Sequence, residues 1–452
     1  MDEETIVALA TPPGRGGIAV IRLSGALSED IVRKVFQPLP ARVRDRHSYH
    51  GFIHDAGRRI DEGLAVFFRA PRSYSGEAMA EISLHSNLFL VEEALALACR
   101  HGARTALPGE FTYRAFRNGK LDLLQAEAVN ELIRANSRAG SRLEFDNLEG
   151  RLSASVAEVR DALLQAAIEV ETGIEFAEDQ HIEAGRDQGG LAAAAVLLEK
   201  ILACSRFSEV VSRGFQVVIA GRVNVGKSSL FNALLLRERS IVSALPGTTR
   251  DYIEETLVLD GFTFRVSDAA GIRAAGGDDV ENQGMQRSLE RIAAADAVLF
   301  MVDASQPLQE SDLEIHRLLG GRKHILLANK SDRGREDVIA AICAAFPGED
   351  LNLISAKYGD NLEAATAFLA SLPGELAAPA DAVAVNLRQK DLLQKLRATI
   401  GRILRLQAHE PAPGELVAEE IRQGLHLVGE LTGAIGVDDI LRGVFAGFCI
   451  GK

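Results

Sequence analysis

Residues 221–228 read GRVNVGKS and stand between an apolar strand pattern, QVVIA (216–220), and an apolar helix start, SLFNALL (229–235). The order strand, GxxxxGK[ST], helix constrains this chain more than any other feature. Its glycines let the backbone fold its amides around phosphate oxygens, while Lys227 reaches the β and γ phosphates and Ser228 can ligate Mg2+. A glycine turn without a ligand has no need of Lys-Ser at its end. The surrounding texture agrees, because short apolar runs (FQVVIAG, FTFRVSD, AVLFMVD, HILLANK, LNLISA) alternate with helical stretches. That alternation predicts a parallel sheet covered by helices on both faces.

Base choice is read from NKSD, Asn329 to Asp332, directly after HILLA. A carboxylate at Asp332 accepts from both the ring N–H and the exocyclic amine of guanine, a donor pair adenine lacks, so the expected nucleotide is GTP. SAK, Ser355 to Lys357, again follows a strand and resembles the last guanine-contacting loop of GTPases. In DAAG, Asp268 to Gly271, the Asp suits the water shell of Mg2+ and the Gly amide suits the γ-phosphate, with Ala269 where Thr is usual. Thr249 of PGTTRD offers a hydroxyl that can close on Mg2+. Ras-like enzymes place a water-orienting Gln after this Gly, but here the residue is Ile272. Glu281 lies within loop reach as a substitute, although it also reads as part of a solvated acidic face beside Asp278 and Asp279. The charge on the transferring phosphoryl group calls for Arg250, Arg273 or a bound metal ion.

Around this centre, 452 residues allow about three domains, and hydrophobic content of 47% with 5% aromatics and no Trp favours helices over an all-β design. Residues 1–118 carry β-rich runs broken by Pro-Gly and Gly-Gly turns, which predicts a small α+β domain. Residues 119–213 read as helices, with Leu152, Val156, Val159, Leu163, Ala167 and Val170 forming one stripe. The α/β GTPase domain is expected at 214–376, and SLPGELAAPAD (371–381) as a linker. Helical periodicity resumes over 377–452 at Leu392, Leu396, Ile400 and Ile403. The expected fold is thus multidomain: an α+β N-terminal domain, then a helical bundle into which a Ras-like P-loop domain is inserted.

The four cysteines are widely spaced, which suits a reducing cytoplasm and indicates no disulfide framework or zinc motif. MDEET lacks the basic stretch of a secretory signal, and the longest apolar run, LAAAAVLL, is too short to span a membrane. A net charge of −13 argues against gripping nucleic acid through a global positive field. Cys449, in the tail FCIGK, is badly placed for prenylation because Gly451 and Lys452 follow it. It reads either as a small buried hydrophobe or as a thiol delivered to a reaction.

ATPPGRGGIAVIRLSG near the start, PGEFTYRAFRNGKLDLLQAEAV at 108–129 and the terminal CIGK, together with the phosphate motifs and Ile272, closely resemble the MnmE family of bacterial tRNA-modification GTPases. The likeness runs over essentially the whole chain. It implies an enzyme that works as a homodimer with an MnmG-type FAD protein. Together they build an aminomethyl or carboxymethylaminomethyl group on C5 of the wobble uridine, U34, of certain tRNAs. The one-carbon unit comes from 5,10-methylene- or 5-formyltetrahydrofolate. The resemblance implies GTP contacts from Asn224, Val225, Gly226, Lys227, Ser228 and Ser229, and from Ser243, Ala244, Leu245, Pro246, Gly247, Thr248 and Thr249. It adds Asp268, Ala269, Ala270 and Gly271, then Asn329, Lys330, Ser331 and Asp332, and finally Ser355, Ala356 and Lys357. Asn224, Ser243, Leu245 and Thr248 would hold K+ in place of an arginine finger, and Glu281 would orient water. Arg22, Glu81, Lys120 and Lys452 match folate-contacting positions, which brings Cys449 to the one-carbon unit as a catalytic group. Two departures stand out: LHSN (84–87) replaces a His-Gly-Gly run, so His85 is followed by Ser86 and Asn87, and the loop before Glu281 is one residue longer.

The competing reading is a ribosome-assembly GTPase of the Era or Der type. Those proteins share GTTRD and a hydrophobic residue after DxxG, but they carry a basic RNA-binding appendage or a second GTPase domain, and neither is visible here. A dynamin-like membrane GTPase is disfavoured by the lack of a basic amphipathic or lipid-anchoring segment.

Overall fold

Along residues 19–23 side chains alternate between buried and half-buried, and the computed structural model resolves that alternation into the two faces of a strand. It describes residues 4–175, 188–237, 254–268, 290–375, 382–409, 413–435 and 444–451. The chain forms two compact units: residues 1–130, 145–198 and 391–452 make the first, and residues 131–144 and 199–390 the second. The second is thus an insertion in the first.

In the first unit a seven-stranded sheet has the order β3-β4-β5-β6-β2-β1-β7. Its strands are β1 (Ile6–Leu9), β2 (Gly16–Ser24), β3 (Phe36–Gln37), β4 (Ser48–Asp55), β5 (Arg58–Phe68), β6 (Met79–Ser86) and β7 (Arg104–Thr105). Val7, Ile21 and Leu23 share a core with Ile31 and Val32 of the helix Ser28–Val35 and with Val91 and Leu97 of the helix Leu88–Arg100. Because side chains alternate, Ile6 and Ala8 face the other way and pack with Ala106 and Phe111. Phe111 belongs to the helix Glu110–Arg117, so this face is covered by a different element.

The helices of this unit bear out the periodic reading with one shift. Leu152, Val156, Val159 and Leu163 are buried in the helix Arg151–Glu175. The stripe then continues through Ala166, while Ala167 and Val170 are partly exposed. After Leu163 the inner face follows the three-residue step. Gly424 of the helix Gly414–Thr432 lies against Leu163, where a Cβ would come within 3.2 Å of both its δ carbons.

The second unit is built on a six-stranded sheet, β13-β12-β11-β8-β10-β9. The strands are β8 (Phe215–Ala220), β9 (Glu254–Leu259), β10 (Phe262–Asp268), β11 (Ala297–Asp303), β12 (His324–Asn329) and β13 (Leu351–Leu353). All neighbours are parallel except β9 and β10, joined by the tight turn Asp260-Gly261 with φ of 50° and 84°. Val217 and Ile219 enter one core and Val218 and Ala220 the other, which explains why β8 reads as a continuous apolar run. The proposed linker begins later than its sequence suggests. The helix Glu363–Glu375 runs through Pro373, carried past it by the burial of Leu369 and Leu372.

Among the described residues, no helix is long and apolar enough to cross a membrane.

Candidate functional site

The parallel registers Ile219–Asp268, Ala220–Phe300 and Asp303–Asn329 bring the carboxyl ends of β8, β10, β11 and β12 to one edge. Loops leaving that edge converge, as they do wherever open α/β sheets bind ligands. The first loop, 221–226, ends at the N-terminus of the helix Lys227–Arg237. Its backbone needs unusual residues: Asn224 is left-handed with φ 63°, and Gly226 has φ 105°. A Cβ on Gly226 would stand 2.2 Å from Asn329 Nδ2, so glycine here is required by both conformation and space. Lys227 is buried, and its ammonium donates to the carbonyls of Gly221 at 2.8 Å and Arg222 at 2.9 Å. The turn therefore curls around the lysine, a cradle that fits a phosphate chain beside a helix N-terminus. Ser228 and Ser229 open the helix and are exposed.

The base-reading loops are tied to this turn directly. Asn329 donates to the Val225 carbonyl at 2.7 Å and accepts from the Ala356 amide at 2.9 Å, joining NKSD and SAK to the phosphate loop. Lys330, left-handed at φ 64°, donates to the Asn224 carbonyl at 2.9 Å and to Asp303 Oδ2 at 2.6 Å. Asp332 accepts from the Ser355 hydroxyl at 2.9 Å, which orients its carboxylate. Lys357 reaches over the Tyr358 ring, 4.9 Å from its centroid. Ser331 begins a short 3-10 turn ending at Arg333.

Asp303 did not stand out in the sequence. Burial pushes its carboxyl up, but bonds from Lys330 and Ser305 outweigh that and hold it below the usual carboxylate range. Its signal was present all the same: an Asp closing the apolar strand AVLFMVD, placed like Asp268 at the end of β10.

Several expected residues fall outside the described ones: Ser243, Ala244, Leu245, Pro246, Gly247, Thr248, Thr249 and Arg250; Ala269, Ala270, Gly271, Arg273 and Glu281; and Lys452.

A second constellation lies in the first unit. Arg22 and Glu81 are cross-strand partners, and Arg22 Nε donates to Glu81 Oε1 at 2.8 Å. The guanidinium also lies 5.5 Å from the centre of the Tyr74 ring and 5.9 Å from that of Phe111. Burial raises the Tyr74 phenol, with bonding to Thr112 and the Arg22 charge opposing it. Ala8 pairs with Arg22 on the other side, and Gly451 packs against the next residues, Leu9 and Ala10. A Cβ on Gly451, at φ 98°, would lie 2.1 Å from the Leu9 carbonyl oxygen. The tail is held there by Phe445 and Phe448, buried with Leu123 and Ala126, and by the Gly109 amide donating to the Cys449 carbonyl at 3.4 Å. Cys449 is exposed, so the structure sets aside its reading as a buried hydrophobe. Lys120 is exposed, with Nζ donating to the Pro71 carbonyl at 3.3 Å. Of the positions expected to contact folate, the structure joins Arg22 to Glu81, while Lys120 hydrogen-bonds a separate loop.

A glycine turn curled around a buried lysine at a helix N-terminus, tied by Asn329 to two further loops at one edge of a mostly parallel sheet, is the build of a P-loop GTPase. The family model described as the N-terminus of the GTP-binding protein TrmE matches residues 5–120, and the model of the MnmE helical domain matches 123–449. The tRNA modification GTPase MnmE of Aquifex aeolicus is 38% identical over 452 residues, covering 99% of this chain and 100% of the relative. That of Thermotoga petrophila is 37% identical over 456 residues, covering 99% and 100%. A crystal structure of Era from Aquifex aeolicus shows 28% identity over 34% of this chain and 55% of that one, with a TM-score of 0.28. The chain belongs to the MnmE family of tRNA modification GTPases.

Proposed function

We propose that this GTPase, as a homodimer with an MnmG-type FAD protein, modifies C5 of the wobble uridine of certain tRNAs. The observation that carries the reading is the tail seated against Leu9 at the end of β1, one residue from the strand position opposite Arg22, with Cys449 exposed. A folate fits the chemistry of this face: Glu81 can accept from a pterin's N–H groups, and Arg22, Lys120 and Lys452 suit an acidic glutamyl tail. Bound there, the folate supplies a one-carbon unit. Cys449 would act on that unit as nucleophile or acid–base group.

In the second unit, Lys227 and the loop amides would hold the phosphates of GTP, with Ser228 and Thr249 on Mg2+. Asn224, with Ser243, Leu245 and Thr248, would hold K+ against the developing charge, and Glu281 would orient the attacking water. The test is nucleoside analysis of tRNA from a strain lacking the protein. Loss of the C5 aminomethyl-type wobble uridines is expected, and unchanged modification would overturn the assignment.

A further inference from the structure

At the edge of the GTPase sheet opposite the nucleotide loops, three side chains from separate elements converge. His316 lies in the helix Glu310–Leu319, His324 opens β12, and Glu349 precedes β13. One ligand atom from each can be chosen so that all lie within 4.8 Å of one another. Glu349 Oε1 stands 3.0 Å from His324 Nε2 and is hydrogen-bonded to His316 Nε2. We propose that His316, His324 and Glu349 form a binding site for one divalent transition metal ion of the zinc class.

The tautomer of His324 is set from behind. Its Nδ1 lies 2.8 Å from the Arg322 carbonyl, which can only accept, so Nδ1 carries a hydrogen and Nε2 is the ring atom left to face Glu349. This backing of a histidine by a main-chain carbonyl is how metal-bound imidazoles are oriented. The wall behind His316 is apolar: its ring centre is 4.6 Å from that of Phe346 and 5.7 Å from that of Phe300, both buried. Side-chain exposures of 30%, 18% and 21% leave the ligand atoms a path from solvent and room for a water as fourth ligand.

Donor type selects the metal. Two imidazole nitrogens and one carboxylate oxygen form a ligand set that zinc uses, whereas Mg2+ and Ca2+ prefer oxygen-only shells and Cu(I) prefers sulfur. Tetrahedral bonds of about 2.0–2.1 Å put ligand atoms roughly 3.3 Å apart, which small side-chain rotations here would reach. The site is remote from phosphoryl transfer. Five residue steps along β12 separate His324 from Asn329, a span of roughly 16 Å at ~3.3 Å per residue. The ion would clamp a helix, a strand start and a turn, and so act on stability.

The experiment uses the full chain after chelation, titrated with CoCl2 and then ZnCl2. One equivalent of Co2+ should give visible absorption of a tetrahedral site without thiolate charge transfer, and Zn2+ should displace it. Glu349→Gln and His324→Ala should weaken binding by roughly tenfold or more while Mg2+-dependent GTP hydrolysis persists. Zinc should also raise the Tm of the unaltered chain. Thiolate-type absorption, equal affinity in the variants, or no rise in Tm with stoichiometric zinc would each overturn the proposal and leave a hydrogen-bonded His–Glu–His cluster.

Discussion

At the scale of single residues, the base and phosphate loops are coupled by Asn329, whose amide bonds both of the other loops. Asp332, held by the Ser355 hydroxyl, is the group proposed to tell guanine from other bases. Asp332→Asn turns one acceptor into a donor facing donors, a mismatch of several kcal/mol by order of magnitude. GTP affinity should fall steeply and xanthosine triphosphate should gain relative to it, as competition binding would show. Asn224 bears the cation question, since Ile272 cannot orient water or carry charge. GTP turnover should be markedly faster in KCl than in NaCl, and Asn224→Ala should erase the difference; equal rates in both salts would point to an arginine. The residues of these loops were legible because each motif is contiguous and follows a strand. The His316, His324 and Glu349 cluster was not, since only the folded sheet brings its members together.

Secondary-structure elements carry the tail and the buried ion pairs. Phe445→Ala removes a ring packed 5.4 Å from Tyr113 and should cost about 3–5 kcal/mol locally. Hydrogen exchange at residues 444–451 should accelerate and tRNA modification should fall, with GTPase activity retained. Nearby, Glu110 accepts from Arg104, Arg114 and the Leu107 amide. Burial raises its carboxyl, but those donors outweigh burial and hold it below the ordinary value. A folded pKa below the unfolded one gives stability that is complete above about pH 4.3 and is lost as pH falls through the depressed value. The midpoint of acid unfolding should therefore move upward in Glu110→Gln, along with a neutral-pH cost of about 1–3 kcal/mol from the weakened pairing of Arg104 and Arg114, which keep Glu4 and Glu77 as partners. The sequence pattern marked the strands at residues 6–9, 16–24 and 58–68 and the helices at 151–175 and 387–407. It missed the turn from Leu163 to Ala166 and the helix through Pro373, because neighbours decide which face is buried and where a helix stops. Nothing in CIGK announces a seat on β1, which is a long-range contact without a local signature.

For the whole molecule, the phosphate loop and the tail belong to different compact units. Cys449→Ser should therefore leave GTP hydrolysis and melting temperature unchanged while abolishing wobble-uridine modification. Measuring all three on one variant distinguishes a reacting thiol from a packing one, which would lower stability as well. The insertion also orders events during synthesis. Residues 199–390 leave the ribosome as an unbroken stretch and can fold around nucleotide while the final segment, 391–452, of the surrounding unit is still being made. Gly451 can reach Leu9 only after the whole of residues 199–390 has been synthesised. A chain under synthesis can therefore complete residues 199–390 of the P-loop unit before the segment that carries Cys449 is seated on β1.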